Sequence, residues 1–301
     1  MIGFVGLGQM GQPMALNVLK AGFELRVFDI REERARPLVV NGAYQALRLG
    51  DVGGPGGIVL TMVPDDNALL DVALGEDGIM TRLGKGGIHL SCSTVSPEVS
   101  EQLAALYEEQ GSHYLTANVL GRPDVAAAAG LSIYLSGHPD AKQRVMPLLR
   151  ALGRHIYDVG ENVALANAIK LGANFLILAA LVAMGEAAAF VEGHGLDRAL
   201  FLRSMAESPL FGGAVYEGYG RMIGEQDYVD VNFPVPMGLK DTHLILEAAE
   251  RIGLTMPVAE LALQHLLAAQ ASGRSTESWA VLAEFASAPA TLSVSFGRNA
   301  R

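Results

Sequence analysis

Short apolar runs alternate with helically spaced segments through the first half of the chain. IGFVG precedes MGQPMALNVLKAG, ELRVFDI precedes REERARPLVV, GGIVLTMV precedes DDNALLDVAL, and GGIHLSCS precedes SPEVSEQLAALYEEQG. Apolar runs bounded by turn residues predict buried strands, and apolar positions three and four apart predict helices. Strands that alternate with helices are joined by right-handed crossovers, so the pattern predicts a mostly parallel α/β sheet covered on both faces. Further strands are expected at HYLTANV, LSIYLSG and RHIYDVG. From Asn162 the pattern turns helical, and ALANAIKLGANFLILAALVAMGEAAAFVEGHG is too long for a strand. Later helices are expected at 197–205, 238–251, 257–271 and 279–285. The boundary falls near Gly160, giving a sheet domain over 1–160, an all-helical domain over 161–288 and an unpatterned tail over 289–301. The glycine-dense GDVGGPGG at 50–57 reads as a loose loop.

One polar feature stands out in the helical half. Lys170 interrupts the apolar run at 164–184, with Asn174 one turn later on the same face and Leu171, Phe175, Leu178 and Leu181 on the neighbouring arc. A lysine stem can lie along apolar surface while its ammonium meets water. The spacing therefore leaves a surface role and a chemical role both open.

Half of the 301 residues are apolar, enough to bury more than one core. The longest uninterrupted apolar stretch, 175–184, is bounded by Asn174 and Glu186 and is about half of the roughly 20 residues that a membrane span needs. Met1 leads straight into a strand-like run without the features of an export signal, so a cytoplasmic protein with no membrane partner is expected. Cys92 is the single cysteine, which excludes a disulfide framework, and the seven histidines lack metal-ligand spacing, so no metal site is expected. A formal charge of −10 without a basic run argues against nucleic-acid binding.

GLGQMG, comprising Gly6, Leu7, Gly8, Gln9, Met10 and Gly11, follows the first strand and opens the first helix. In that context Gly6 permits a tight turn, Gly8 lets backbone approach a pyrophosphate, and Gly11 allows close packing of helix on sheet. Asp29 lies eighteen positions beyond Gly11, where a carboxylate can accept hydrogen bonds from an adenosine ribose, with Ile30 and Arg31 beside it. That carboxylate repels a 2′-phosphate and favours NAD. The Arg31 guanidinium keeps NADP open.

Five ordered segments then carry a resemblance to the β-hydroxyacid dehydrogenase family, which shares the fold of 6-phosphogluconate dehydrogenase. They are GFVGLGQMGQPMA, TMVPDD at 61–66, SCSTVSPEVS at 91–100, the Lys170 and Asn174 pair, and FPVPMGLKD at 233–241. The resemblance implies an N-terminal Rossmann doubly wound sheet, a long interdomain helix and an all-α C-terminal domain that serves dimerisation. It implies hydride transfer between NAD and a small β-hydroxy acid or the matching semialdehyde, in a homodimer or homotetramer. Met62, Val63 and Pro64 would close over the cofactor, Ser93 and Thr94 would lie near nicotinamide and substrate, and Lys240 would reach the cofactor. Lys170 would be the general acid and base, with Asn174 orienting it or the substrate. Two residue groups also have plain local explanations: Ser96 before Pro97 reads as a helix cap, and Lys240 with Asp241 as a helix-surface pair.

The match departs from the family at one segment. The family's Asp-x-Pro-Val-Ser-Gly-Gly loop appears as TANVLGRP at 116–123, so Leu120 stands at the family's substrate-binding serine and Arg122 at a glycine, while Gly121 is kept. Gly121 and Arg122 are the substrate-side candidates, the latter through a bidentate grip on a carboxylate. Ala164 and Ala166 replace glycines before Lys170, and Ala173 stands at a second asparagine. These departures place the chain in a divergent branch related to imine reductases. An NADPH-dependent imine reductase is the first alternative, although Lys170 and Asp29 both point away from it. A dinucleotide-binding protein without turnover is the second. Phe211, Tyr216 and Tyr219 suit either a cleft wall or the helical core, and Trp279 reads as core.

Overall fold

The computed structural model describes residues 1–229 and 233–286; the expected tail at 289–301 lies outside them. Eight strands form one sheet: β1 (Ile2–Val5), β2 (Leu25–Phe28), β3 (Tyr44–Gln45), β4 (Ile58–Thr61), β5 (Ile88–Ser91), β6 (His113–Leu120), β7 (Leu131–Ser136) and β8 (Gly153–Asp158). Their order is β3-β2-β1-β4-β5-β6-β7-β8, parallel throughout except for the antiparallel pair β6 and β7. The connections are α1 (Gly11–Lys20), α2 (Arg36–Val40), α3 (Asp66–Leu74), α4 (Ile79–Leu83), α5 (Pro97–Glu109), α6 (Pro123–Ala127) and α7 (Pro139–Arg150).

Alternation along the strands separates two cores. Phe4, Leu60, Leu90 and Leu115 pack on one face with Met14 and Val18 of α1. Val5, Val59 and Tyr114 pack on the other with Leu69 of α3 and Leu103 of α5. Both faces are therefore buried, which explains why the central strands read as unbroken apolar runs.

The GDVGGPGG segment differs from the loose loop expected of it. Leu49–Val52 is a 3-10 turn, Gly50 N–H donates to Asp77 Oδ2 at 3.0 Å, and Arg144 Nη2 donates to the Gly56 carbonyl at 2.8 Å. Side chains far along the chain tie down a stretch whose own composition carries no such signal.

Helices follow: α8 (Ala164–Glu192), α9 (Arg198–Ala206), α10 (Ala214–Glu225), α11 (Val235–Arg251) and α12 (Pro257–Ala271), then a 3-10 helix over Trp279–Glu284. The 29-residue α8 is long and apolar enough by length and composition to cross a membrane, which the bounded stretch at 175–184 understated. Leu178, Leu181, Val182, Met184 and Ala188 along it are nonetheless buried.

Contacts divide the chain into two compact units, one of Met1–Asn174 with Leu244–Leu254, the other of Phe175–His243 with the chain from Thr255 onward. Within the second unit, a Cβ at Gly185 would stand 2.5 Å from the Ala283 carbonyl oxygen, so α8 and the 3-10 helix meet backbone to backbone. Trp279 is buried there, its Nε1–H donating to Tyr219 Oη at 3.0 Å, which assigns Tyr219 to the helical core. Glu284 gathers Arg198 (3.1 Å), Gln226 (3.0 Å) and the Tyr228 hydroxyl.

Candidate active site

The sheet brings most of the expected site residues to one edge of the first unit. β1, β2, β4, β5 and the start of β6 run parallel, and their carboxyl ends lead into Gly6–Gly11, Asp29, Met62–Pro64 and Ser93–Thr94. The chain passes from β1 to β2 on one side and from β3 to β4 on the other, so β1 and β4 flank the reversal point at which open α/β sheets bind ligands.

The three loop glycines have different reasons to be there. Gly6 has φ +90°, and a Cβ on it would stand 2.3 Å from the Met62 carbonyl oxygen; a Cβ on Gly11 would stand 1.9 Å from the Gly6 carbonyl oxygen. Both are required by the chain itself. Gly8 is not: the nearest atom to its added Cβ is Arg34 Nη1 at 3.9 Å. Its bare backbone is a cradle that a side chain would fill, which suits a diphosphate. The start of α1 also has no side-chain cap and no acidic residue in its first turn, and a helix start of that kind suits an anion.

Asp29 is 8% exposed and organises this loop. Its Oδ2 accepts the Leu7 N–H at 2.7 Å, its Oδ1 accepts the Arg31 N–H at 2.8 Å, and Arg34 Nη1 lies 3.5 Å from Oδ2. Arg34 went unrecognised in the sequence, because nothing local distinguishes it from the charged residues around it. Ile30 is 90% exposed, and Met10 flanks the first helix as its N-cap residue.

The loops after β4 and β5 are stitched together. Val63 N–H donates to Ser93 Oγ at 2.8 Å, and Ser96 N–H donates to Asp66 Oδ1 at 2.9 Å. Ser93 is 1% exposed, so its hydroxyl aligns one loop on the other while keeping a proton to donate. Thr94 is half-buried and Pro64 exposed. Ser96 caps α5 through Val99 N–H at 3.2 Å, with Pro97 in the first turn.

The start of α8 is pinned to the same region. The Val163 carbonyl accepts hydrogen bonds from Thr116 Oγ1 (2.6 Å) and Ser136 Oγ (3.0 Å). One turn on, Asn167 Nδ2 donates to the Val95 carbonyl at 3.0 Å. Lys170 follows on that face, half-buried, and Asn174 is 3% exposed. From β6, Asn118 Nδ2 donates to the Ser93 carbonyl at 2.8 Å. Asn118 and Asn167 were missed in the sequence, since each meets a backbone carbonyl distant along the chain.

Two groups of expected residues remain. Gly121 lies three residues beyond Asn118, about 10 Å along an extended chain. Gly121 has φ +152°, and a Cβ there would meet Leu131 Cδ2 at 2.6 Å. Arg122 precedes α6 with its Nε 3.7 Å from Asp124 Oδ1. Lys240 belongs to the second unit, where its Nζ lies 2.8 Å from Oδ1 of the buried Asp241.

Beneath the loops, His89 Nε2 pairs with Thr61 Oγ1 and its Nδ1 with Tyr107 Oη, each at 2.9 Å. Complete burial holds the His89 imidazole neutral, its pKa lowered to about 3. Burial pushes the Cys92 thiol up to about 12, which removes it as a nucleophile near neutral pH. Among the described residues no cluster of three His, Cys, Asp or Glu could hold a metal.

Residues 1–160 match the family model of the NAD binding domain of 6-phosphogluconate dehydrogenase, and residues 164–284 that of the NAD-binding of NADP-dependent 3-hydroxyisobutyrate dehydrogenase. The chain belongs to the β-hydroxyacid dehydrogenase family. It is an oxidoreductase built on an NAD(P)-binding domain. An uncharacterized oxidoreductase, YfjR, of Bacillus subtilis is 43% identical over 93% of this chain and 98% of its own. The NAD-dependent L-serine dehydrogenase of Pseudomonas aeruginosa is 31% identical over 87% of this chain and 89% of its own. In three dimensions, 3-hydroxyisobutyrate dehydrogenase from Salmonella typhimurium superposes with a TM-score of 0.84 at 22% identity, covering 94% of this chain and 99% of that one, a likeness of fold.

Proposed function

We propose that this chain oxidises a small β-hydroxy acid, or reduces the matching semialdehyde, with Lys170 carrying the proton and Asn174 orienting it or the substrate. The bound nicotinamide supplies the hydride acceptor or donor. In the oxidation direction, the neutral Lys170 amine takes the hydroxyl proton as the carbon loses hydride; in reduction, its ammonium stabilises the oxygen's negative charge and returns the proton. Gly6–Gly11 bind the diphosphate and Asp29 the adenosine ribose, with Met62, Val63, Pro64 and Thr94 against the nicotinamide half. Lys240 is a further cofactor contact, and Ser93, Gly121 and Arg122 serve the substrate.

The observation that carries this reading is the pinning of α8 one turn before Lys170. Asn167 is bound to the Val95 carbonyl, in the segment that follows β5 at the sheet's ligand-binding edge. An amine on a helix anchored there suits proton transfer better than a freely chosen surface position.

Asp29 favours NAD, and Arg31 and Arg34 beside it keep NADP usable. A homodimer or homotetramer in a reducing cytoplasm fits the exposed apolar positions of α8 and the single buried thiol.

Lys170→Met tests the proton role. Turnover of a panel of 3-hydroxy acids with NAD and NADP should fall at least about 100-fold while dinucleotide affinity, measured by fluorescence titration, stays unchanged. Undiminished turnover would end the role of Lys170. Cyclic imines in the same panel, with NADH and NADPH, separate a reductase of C=N from one of C=O.

A further inference from the structure

The segment from Ser93 to Val95 is held from two sides by carboxamides. Asn118 on β6 donates to the Ser93 carbonyl at 2.8 Å, and Asn167 on α8 donates to the Val95 carbonyl at 3.0 Å. Both side chains are 1% exposed. The Oδ1 atom of each is buried and has no hydrogen-bond partner among the described residues. Such an acceptor is unfavourable, and an apolar residue of the same size would remove it at the loss of one N–H bond. The two asparagines therefore serve the segment they hold more than the core they occupy.

What they hold matters for geometry. Ser93 in turn accepts the Val63 N–H, so one line of hydrogen bonds joins β6, the loop after β5 and the loop after β4. Asn167 adds α8 to that line, on the face and within one turn of Lys170. A helix can slide or rotate on an apolar surface at small cost, but a directed hydrogen bond fixes its register.

We propose that Asn167 and Asn118 are positioning residues: they clamp Ser93–Val95 between α8 and β6 and thereby set where the Lys170 amine stands relative to the nicotinamide-side loops. The proposal rests on the proton role of Lys170 given above.

The test uses the full-length protein with Asn167→Leu, Asn118→Leu and the conservative Asn167→Gln, beside Lys170→Met. For each Leu variant kcat should fall about 10-fold or more, since displacement by an ångström suffices for such losses. The acid limb of the pH–rate profile should move in Asn167→Leu, dinucleotide affinity should hold within about twofold, and the melting temperature should stay level or rise. Asn167→Gln, which keeps a carboxamide donor, should recover part of the lost kcat. Full activity in both Leu variants while Lys170→Met is dead overturns the clamp and leaves the lysine intact. A fall in melting temperature with dinucleotide affinity lost alongside kcat also overturns it, because that pattern belongs to a packing role. Undiminished turnover in Lys170→Met is the separate failure of the lysine itself.

Discussion

The glycines of the first loop divide by what surrounds them, and this division yields a prediction at the scale of single atoms. Gly11 cannot take a side chain, because the Gly6 carbonyl oxygen would lie 1.9 Å from it, whereas Gly8 has room to 3.9 Å. Gly8→Val should therefore fold with a stability near that of the parent, within about 0.5 kcal/mol, while its dinucleotide affinity drops at least about 10-fold. Thermal melts and a titration with NAD check both halves; unchanged affinity would remove the diphosphate from Gly8. At this scale the sequence was readable where geometry is local, as with the Gly6 turn, the close packing at Gly11 and the Ser96 cap. It was silent where a side chain meets a carbonyl far along the chain. Asn118 reaches a partner 25 residues away and Asn167 one 72 residues away, and neither pairing leaves a periodic trace. The extended run of β6 carries the same lesson. Gly121 and Arg122 stand out as a motif, while Asn118, three residues before Gly121 on that strand, carries no such signal and donates to the Ser93 carbonyl.

Among the described residues, α8 carries a run of exposed apolar and small positions. Leu165 is 42% exposed, Leu176 68% and Phe190 67%, and Ala168, Gly172 and Ala183 are exposed as well. These positions recur at helical spacing, so they form one stripe rather than scattered patches. Gly172 sits in the helix interior, where glycine costs about 1 kcal/mol relative to alanine, and a Cβ on it would meet nothing within 4 Å. A small residue there suits the close approach of a second subunit in the proposed assembly. Leu176→Glu places a charge on that stripe and should shift the proposed assembly toward smaller species, read as a lower mass by light scattering at micromolar concentration, with the far-ultraviolet circular dichroism spectrum kept. A mass that does not change would show that the stripe is not where subunits meet. Element boundaries were legible where capping residues punctuate the pattern: α12 runs over Pro257–Ala271 and α9 begins after Asp197, whose carboxylate caps Leu200 N–H at 2.8 Å. The final segment was legible as helical but adopts 3-10 geometry over Trp279–Glu284. Close backbone contact with α8 at Gly185 is a tertiary demand that no local spacing encodes.

For the molecule as a whole, the fully buried His89 sets a pH dependence of stability, to which the half-buried His113 and His265, also lowered by burial, add in the same direction. Its imidazole lies at 0% exposure between Thr61 and Tyr107, with pKa lowered to about 3 by burial, against 6.5 when the chain is unfolded. Above pH 6.5 the residue is neutral in both states and adds no pH dependence. Between 6.5 and about 3 the unfolded chain binds a proton that the folded one refuses, so stability falls as pH falls, with a limiting slope of about 1.4 kcal/mol per pH unit. Cys92 and Tyr114, both pushed up to about 12, are protonated in both states across this window and contribute nothing to it. Acid also protonates carboxylates such as Asp158, whose pKa is lowered by its hydrogen bond from Lys142, so the effect of His89 must be isolated by difference. His89→Gln keeps amide hydrogen-bonding capacity toward Thr61 and Tyr107 and cannot titrate. Melting or denaturant curves collected from pH 7.5 to 4.5 should show the variant losing stability less steeply than the parent below pH 6.5, with the two slopes equal above it. Parallel curves throughout would mean that the folded protein protonates His89 as readily as the unfolded chain does, and the sealed Thr61–His89–Tyr107 network would then have to open well before the protein unfolds.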